Sequence, residues 1–192
     1  MDSDDILSRL PPTFRSAEAL EHMSKRQLQT LRLDGRITPI ARGFYRKSDW
    51  YGDEELVEIA SAAPRATIAL RSALVRHDLT DDIPAAIDIA IPRGDWAPKV
   101  TAHVSWHRFA TDTFDIGREE LDIDGDRTIG LYSAPRTIID TYRLQHHEGV
   151  DQANDALKRW LRHGGQPSEI LRMARSFPHA QRALQQALSI LL

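Results

Sequence analysis

The chain has 192 residues, a formal net charge of −3 and a hydrophobic fraction of 41%, which is enough apolar surface for a real core in one domain or two. It has no cysteine, so disulfides and thiolate metal sites are excluded, and no apolar run reaches the length of a signal peptide or a membrane span. These features predict a soluble cytoplasmic protein that associates with no membrane.

In chain order, Asp2–Leu10 can form a short helix ended by Pro11-Pro12. Ser16 as cap, with Glu18 in the first turn, predicts a second helix to about His22. Ser24 caps a third, which reaches Asp34 and stops at Gly35. On this third helix Leu28 and Leu31 share one side and should pack on the first two. At about 100° per residue, Arg26, Gln29 and Thr30 project from the opposite side, with Lys25 and Gln27 on the flanks. Arg36–Lys47 then reads as a two-stranded ribbon. Ile37 and Ile40 go in, Phe44 and Tyr45 return, and Ala41-Arg42-Gly43 turns between them, with Gly43 free to take positive φ. Pro39 restricts the first strand to an edge.

Charge singles out the same stretch. Ser24–Lys47 has seven basic side chains (Lys25, Arg26, Arg32, Arg36, Arg42, Arg46, Lys47) against one acid, Asp34, and so carries +6. Since the whole chain is −3, the rest carries −9. A face so separated in charge is suited to a polyanion. Helix, turn, helix and a basic ribbon together predict a winged helix-turn-helix over residues 1–50. Arg26, Gln29 and Thr30 have the donors and acceptors for base edges in a major groove, with Gln27 beside them. Lys25, Arg36, Arg42, Arg46 and Lys47 are the candidate phosphate contacts, and Arg42 at the ribbon tip can also enter a minor groove. The bland alternative is a solvated charged helix face; the ribbon that follows favours recognition.

Ser48–Gly52 reads as a connector, and residues 53–192 as the body. A helix starts at Asp53, a buried strand covers Ala66–Leu70, and a helix follows at Arg71–His77. Strands are expected at Ala86–Ile91 and Val100–Arg108. Leu121–Ile123 and Thr128–Tyr132 flank Asp124-Gly125, a tight-hairpin signal. Ser133 caps a helix with Pro135 in its first turn, and three helices close the chain at Asp151–His163, Pro167–Ser176 and Pro178–Leu192. The fold class is therefore α+β, a winged helix-turn-helix followed by a mixed α+β domain ending in helices.

Several short motifs recur in the same order in one family. They are the Ser16–Leu33 helix pair, ARGFYR at Ala41–Arg46, RSALVRHDLT at Arg71–Thr80, AIPRG at Ala90–Gly94, WHR at Trp106–Arg108 and SAPRTIID at Ser133–Asp140. With these the chain resembles, over nearly its whole length, the AbiEi-type antitoxins of type IV toxin–antitoxin systems. It departs from them in having His22-Met23 at the turn where the family often has a glycine, and Ser-Ala-Pro-Arg-Thr for Ser-Pro-Ala-Arg-Thr. The resemblance implies a repressor that binds inverted repeats in double-stranded DNA of its own promoter. It also implies a functional partner, a nucleotidyltransferase-like toxin, countered by the C-terminal domain without a stable complex. A monomer or weak dimer, cooperative on DNA, is expected, with no cofactor.

Enzyme readings fare worse. His103 and His107 lie in a β-patterned run, where positions four apart are about 13 Å from each other and cannot share one ion. His146-His147 suits a helix end, where it complements the dipole. Asp122, Asp124 and Asp126 with Gly125 are explained by turn chemistry, because a calcium loop would need a glutamate where Ser133 stands. Lys99 and Asp95 are separated by Trp96, Ala97 and Pro98, which break the strand that a nuclease centre uses. No phosphate loop, GxSxG or HExxH motif appears. No metal site and no enzymatic activity are expected. The alternative is a plain winged-helix regulator with a ligand- or protein-sensing body, and less so a nucleic-acid-processing enzyme.

Overall fold

A computed structural model of the chain describes residues 3–144 and 149–191. Among these residues it contains nine helices and two sheets, a mixed α+β architecture. The predicted His146-His147 pair lies outside them. The chain divides into two compact units, which interleave along the sequence. The first comprises Met1–Pro64, Pro98–Ala102 and Asp122–Ile129, and the second Arg65–Ala97, His103–Leu121 and Gly130–Leu192. The division therefore falls near Pro64 rather than near residue 50, and two segments expected in the body lie with the first unit.

The first unit holds helices α1 (Ser3–Arg9), α2 (Ser16–Leu20), α3 (Lys25–Leu33) and α4 (Glu54–Ala62). Its strands β1 (Thr13–Arg15), β2 (Ile37–Ala41) and β3 (Phe44–Lys47) form an antiparallel sheet in the order β1-β3-β2. Ile6, Leu7, Leu10, Phe14, Ala19, Met23, Leu28, Leu31 and Ile37 make one core, so the apolar side of α3 is buried as its periodicity requires. β1 was not expected. Three residues after two prolines carry no period, and only pairing with β3 makes them a strand. In consequence Arg15, not Ser16, caps α2, and its N–H donates to the Glu18 carboxylate at 2.7 Å. α3 begins as predicted, on a reciprocal box in which the Ser24 hydroxyl accepts from Gln27 N and Gln27 Oε1 accepts from Ser24 N at 2.9 Å. It ends at Gly35, whose φ of 69° lets Arg36 N–H reach the Leu31 carbonyl. Pro39 does lie on an edge strand.

α4 starts at Asp53, whose carboxylate accepts from Leu56 N at 3.0 Å. Its Glu58 is buried and accepts from Thr101 N, Thr101 Oγ1 and Ala102 N at 2.8, 3.0 and 3.1 Å. These bonds account for one correction. The strand expected from Val100 begins only at Val104, because the N–H groups of Thr101 and Ala102 are taken by a carboxylate instead of a ladder.

The second unit is built on five strands, β4 (Thr67–Ile68), β5 (Ile87–Pro92), β6 (Val104–Phe109), β7 (Arg118–Asp122) and β8 (Thr128–Tyr132), which form one sheet in the order β6-β5-β4-β8-β7. Asp122, Thr128 and Ile129, at the hairpin end of β7 and β8, are grouped with the first unit. β4 is antiparallel to β5 and parallel to β8, while β5 and β6 are parallel. The helices are α5 (Leu70–Arg76), α6 (Ala134–Arg143), α7 (Val150–Arg162), α8 (Pro167–Ala174) and α9 (Pro178–Leu191). α6 packs against the other four and is buried without interruption from Pro135 to Tyr142. This forces polar side chains inside. Thr137 and Thr141 bond back to the carbonyls of Ser133 and Thr137. Arg136, fully buried, donates to Asp140 at 2.8 Å and to the Thr113 carbonyl at 2.7 Å, and lies 4.1 Å over the Tyr132 ring and 4.5 Å over Phe177. Arg143 pairs with the other Asp140 oxygen at 3.0 Å. Burial pushes the Asp140 carboxyl up, and the Arg136 and Arg143 guanidiniums oppose that shift.

Candidate nucleic-acid interface

The predicted site residues all fall in the first unit, on α3 and the β2–β3 ribbon. Lys25, Arg26, Gln29 and Thr30 are exposed on the side of α3 opposite the buried Leu28 and Leu31. Leu33 is exposed as well, at 77%, an apolar side chain that nothing covers within the unit. Ala41 and Phe44 are register partners, so Arg42 and Gly43 form the ribbon tip, with Gly43 at a φ of 70°. Arg42 is exposed there, and Arg36 is exposed at the ribbon's start.

Several predicted residues are already engaged. Gln27 gives its amide oxygen to the helix cap. Arg46 donates from Nε to Glu54 Oε1 at 2.5 Å and is half-buried. Lys47 donates from Nζ to the Leu10 carbonyl at 2.5 Å, which ties β3 to the end of the first helical segment. Thr30 donates its hydroxyl proton to the Arg26 carbonyl at 3.0 Å, leaving it an acceptor toward any partner. The groups wholly available to a polyanion are therefore fewer than the charge count suggests.

Sequence reasoning missed two cations. A groove of about 700 Å³ runs beside the ribbon tip, lined among others by Arg15, Arg42, Glu58, Ser61 and Lys99. Arg15 enters through the unforeseen strand β1 and is steadied by the Ser61 carbonyl at 2.5 Å. Lys99 enters because Glu58 fastens Pro98–Ala102 to α4. A separation of more than fifty residues between Lys99 and the ribbon left no signal in sequence.

Of the described residues weighed for enzymatic chemistry, the two histidines of β6 and its approach and the hairpin aspartates Asp122 and Asp124 have local partners. His103 Nδ1 lies 2.9 Å from the Ala85 carbonyl oxygen and His107 Nε2 lies 2.8 Å from Asp88 Oδ1, so each imidazole has its own partner. Asp122 accepts from Gly125 N at 2.6 Å, and Asp124 accepts from Asp126 N and Arg127 N at 3.1 and 2.8 Å, which closes the turn. Asp124 also accepts from the Thr13 hydroxyl, and Arg127 Nε donates to Thr13 Oγ1 at 2.9 Å. The hairpin tip is thus a fastening within the first unit. Lys99 and Asp95 belong to different units. A second depression, of about 510 Å³, lies within the second unit between β6 and the end of α6. No helix of the described residues is long and apolar enough to cross a membrane. Compared with known proteins, the chain matches no family model and no curated relative.

Proposed function

We propose that this protein is a DNA-binding transcriptional autorepressor and the antitoxin of a type IV toxin–antitoxin system, with its first unit acting as a winged helix-turn-helix. The observation that carries the DNA-binding part is the juxtaposition, in one unit, of an exposed Lys25-Arg26-Gln29-Thr30 face with a ribbon tipped by Arg42, in a segment of charge +6 on a chain of charge −3. α3 then enters the major groove, where Arg26 suits guanine and Gln29 adenine, and the ribbon lies along the backbone. Binding at inverted repeats in the promoter occludes it. Antitoxicity rests on the resemblance of the motifs quoted above. In this reading the second unit counters a nucleotidyltransferase-like toxin without a stable complex, and the protein catalyses nothing and needs no cofactor. It works in the cytoplasm as a monomer or a weak dimer that is cooperative on DNA.

The deciding experiment has two arms. A footprint on the DNA upstream of the protein's own gene should show protected inverted repeats, lost in the Arg26→Ala/Gln29→Ala variant. In a growth assay with the neighbouring toxin gene on a separate inducible plasmid, that variant should still protect the cell. Absence of a footprint defeats the repressor reading, and absence of protection by the wild-type chain defeats the antitoxin reading. The depression in the second unit favours one second reading, a regulator whose body senses a small ligand.

A further inference from the structure

We infer that the second unit carries a nucleotide-binding cleft, a site independent of the DNA-binding face. Its depression of about 510 Å³ falls within the range of small-molecule sites, roughly 300–1,000 Å³. Three separate segments supply it: Arg93 from just beyond β5, Trp106-His107-Arg108 from β6, and Arg143 from the last turn of α6. The parallel register sets Ile91 opposite Arg108, and Arg93 N–H donates to the Phe109 carbonyl at 2.7 Å. Arg93 and Arg108 are thereby carried at the same end of adjoining strands.

The chemistry is one-sided. Among the described residues, no carboxylate lines the depression. The two acids behind it are already held, Asp88 by His107 at 2.8 Å and Asp140 by Arg136 and Arg143. Arg93 and Arg108 are exposed, and neither is tied to a carboxylate among the described residues. Arg143 is fixed 4.6 Å over the Phe109 ring while its Nε is buried with no hydrogen-bond partner. A guanidinium so placed, and paired with Asp140, is preorganised in the wall of the depression, while the exposed donors toward an anion are those of Arg93 and Arg108. Leu70, also in the lining, holds a φ of 46° while buried, an uncommon conformation for an L-residue and one that clusters at functional sites.

Three guanidiniums on a chain of net negative charge point to phosphoryl oxygens, which arginine meets in paired hydrogen bonds. The Trp106 indole adds a flat face of the kind on which nucleobases stack. Together these fit a nucleoside polyphosphate. A duplex would call instead for an extended basic stripe.

The test uses the full-length protein, titrated calorimetrically with adenosine and guanosine triphosphates and with inorganic tripolyphosphate. At least one nucleoside triphosphate should bind, and Arg93→Ala and Arg108→Ala should each weaken it by about tenfold or more. Trp106→Leu should weaken the nucleotide but leave tripolyphosphate unchanged. Arg172→Ala, an exposed arginine of α8, should bind as wild type. Should Trp106→Leu fail to fold, the two exposed arginines decide. No binding by either nucleotide, binding indifferent to Arg93 and Arg108, equal affinity for tripolyphosphate, or displacement of bound nucleotide by a DNA duplex would each overturn the inference.

Discussion

Single side chains differ in how free they are to act, and the predictions divide accordingly. Arg26→Ala and Gln29→Ala should each cost about 1–3 kcal/mol on the specific operator and much less on random DNA, measured by competition binding. Equal losses on both would make them phosphate contacts. Arg42→Ala should lower the slope of log affinity against log salt by about 0.9, the signature of one released phosphate contact. Arg46 and Lys47, although counted with Arg42 from sequence, are bound to Glu54 and the Leu10 carbonyl. Their alanine variants should show up in the melting temperature and leave the salt slope nearly unchanged. Arg136 is the opposite extreme, a fully buried cation whose partner is Asp140. Asp140→Ala should destabilise the fold by about 3–5 kcal/mol in denaturant titration, since it leaves an uncompensated charge inside.

Among the elements, α3 owes its start to the Ser24–Gln27 box, and Ser24→Ala should cost about 1 kcal/mol. Gln27 on this view is a structural residue of α3 rather than a candidate reader of bases. α7 is joined to the segment after α5 by Arg159 and Asp81. The hydrogen bond from Arg159, and then its charge, hold the Asp81 carboxyl below the usual carboxylate range. A carboxyl with a depressed folded-state pKa adds stability above its unfolded value, and that stability is lost as pH falls through the folded value. Arg159→Ala should therefore move the Asp81 titration midpoint, followed by NMR, upward toward that of a free aspartate. The pair is exposed, so the effect on the melting temperature should be slight.

At the scale of the whole molecule, interleaving decides which truncations can fold. Residues 1–50 lack Glu54 and the rest of α4, Glu58's hold on Pro98–Ala102, and the Asp124 and Arg127 partners of Thr13. This fragment should show no cooperative thermal transition by circular dichroism. A sharp transition would mean the inserted segments are dispensable to the first unit.

Periodicity and capping belong to a few neighbouring residues, and the sequence by itself determined what depends on them. The Ser24 cap, the Gly35 stop, the buried Leu28 and Leu31, the edge strand with Pro39, the Asp124-Gly125 turn and the α6 core helix were all legible. The tertiary structure decided what depends on partners distant in sequence. β1 exists only against β3, Thr101 and Ala102 leave the strand only because Glu58 takes their N–H groups, and Arg46 and Lys47 are engaged only because Glu54 and Leu10 lie beside them. The gathering of Arg93, Arg108 and Arg143 follows the same rule, since register and helix packing place them together and no spacing along the chain encodes it.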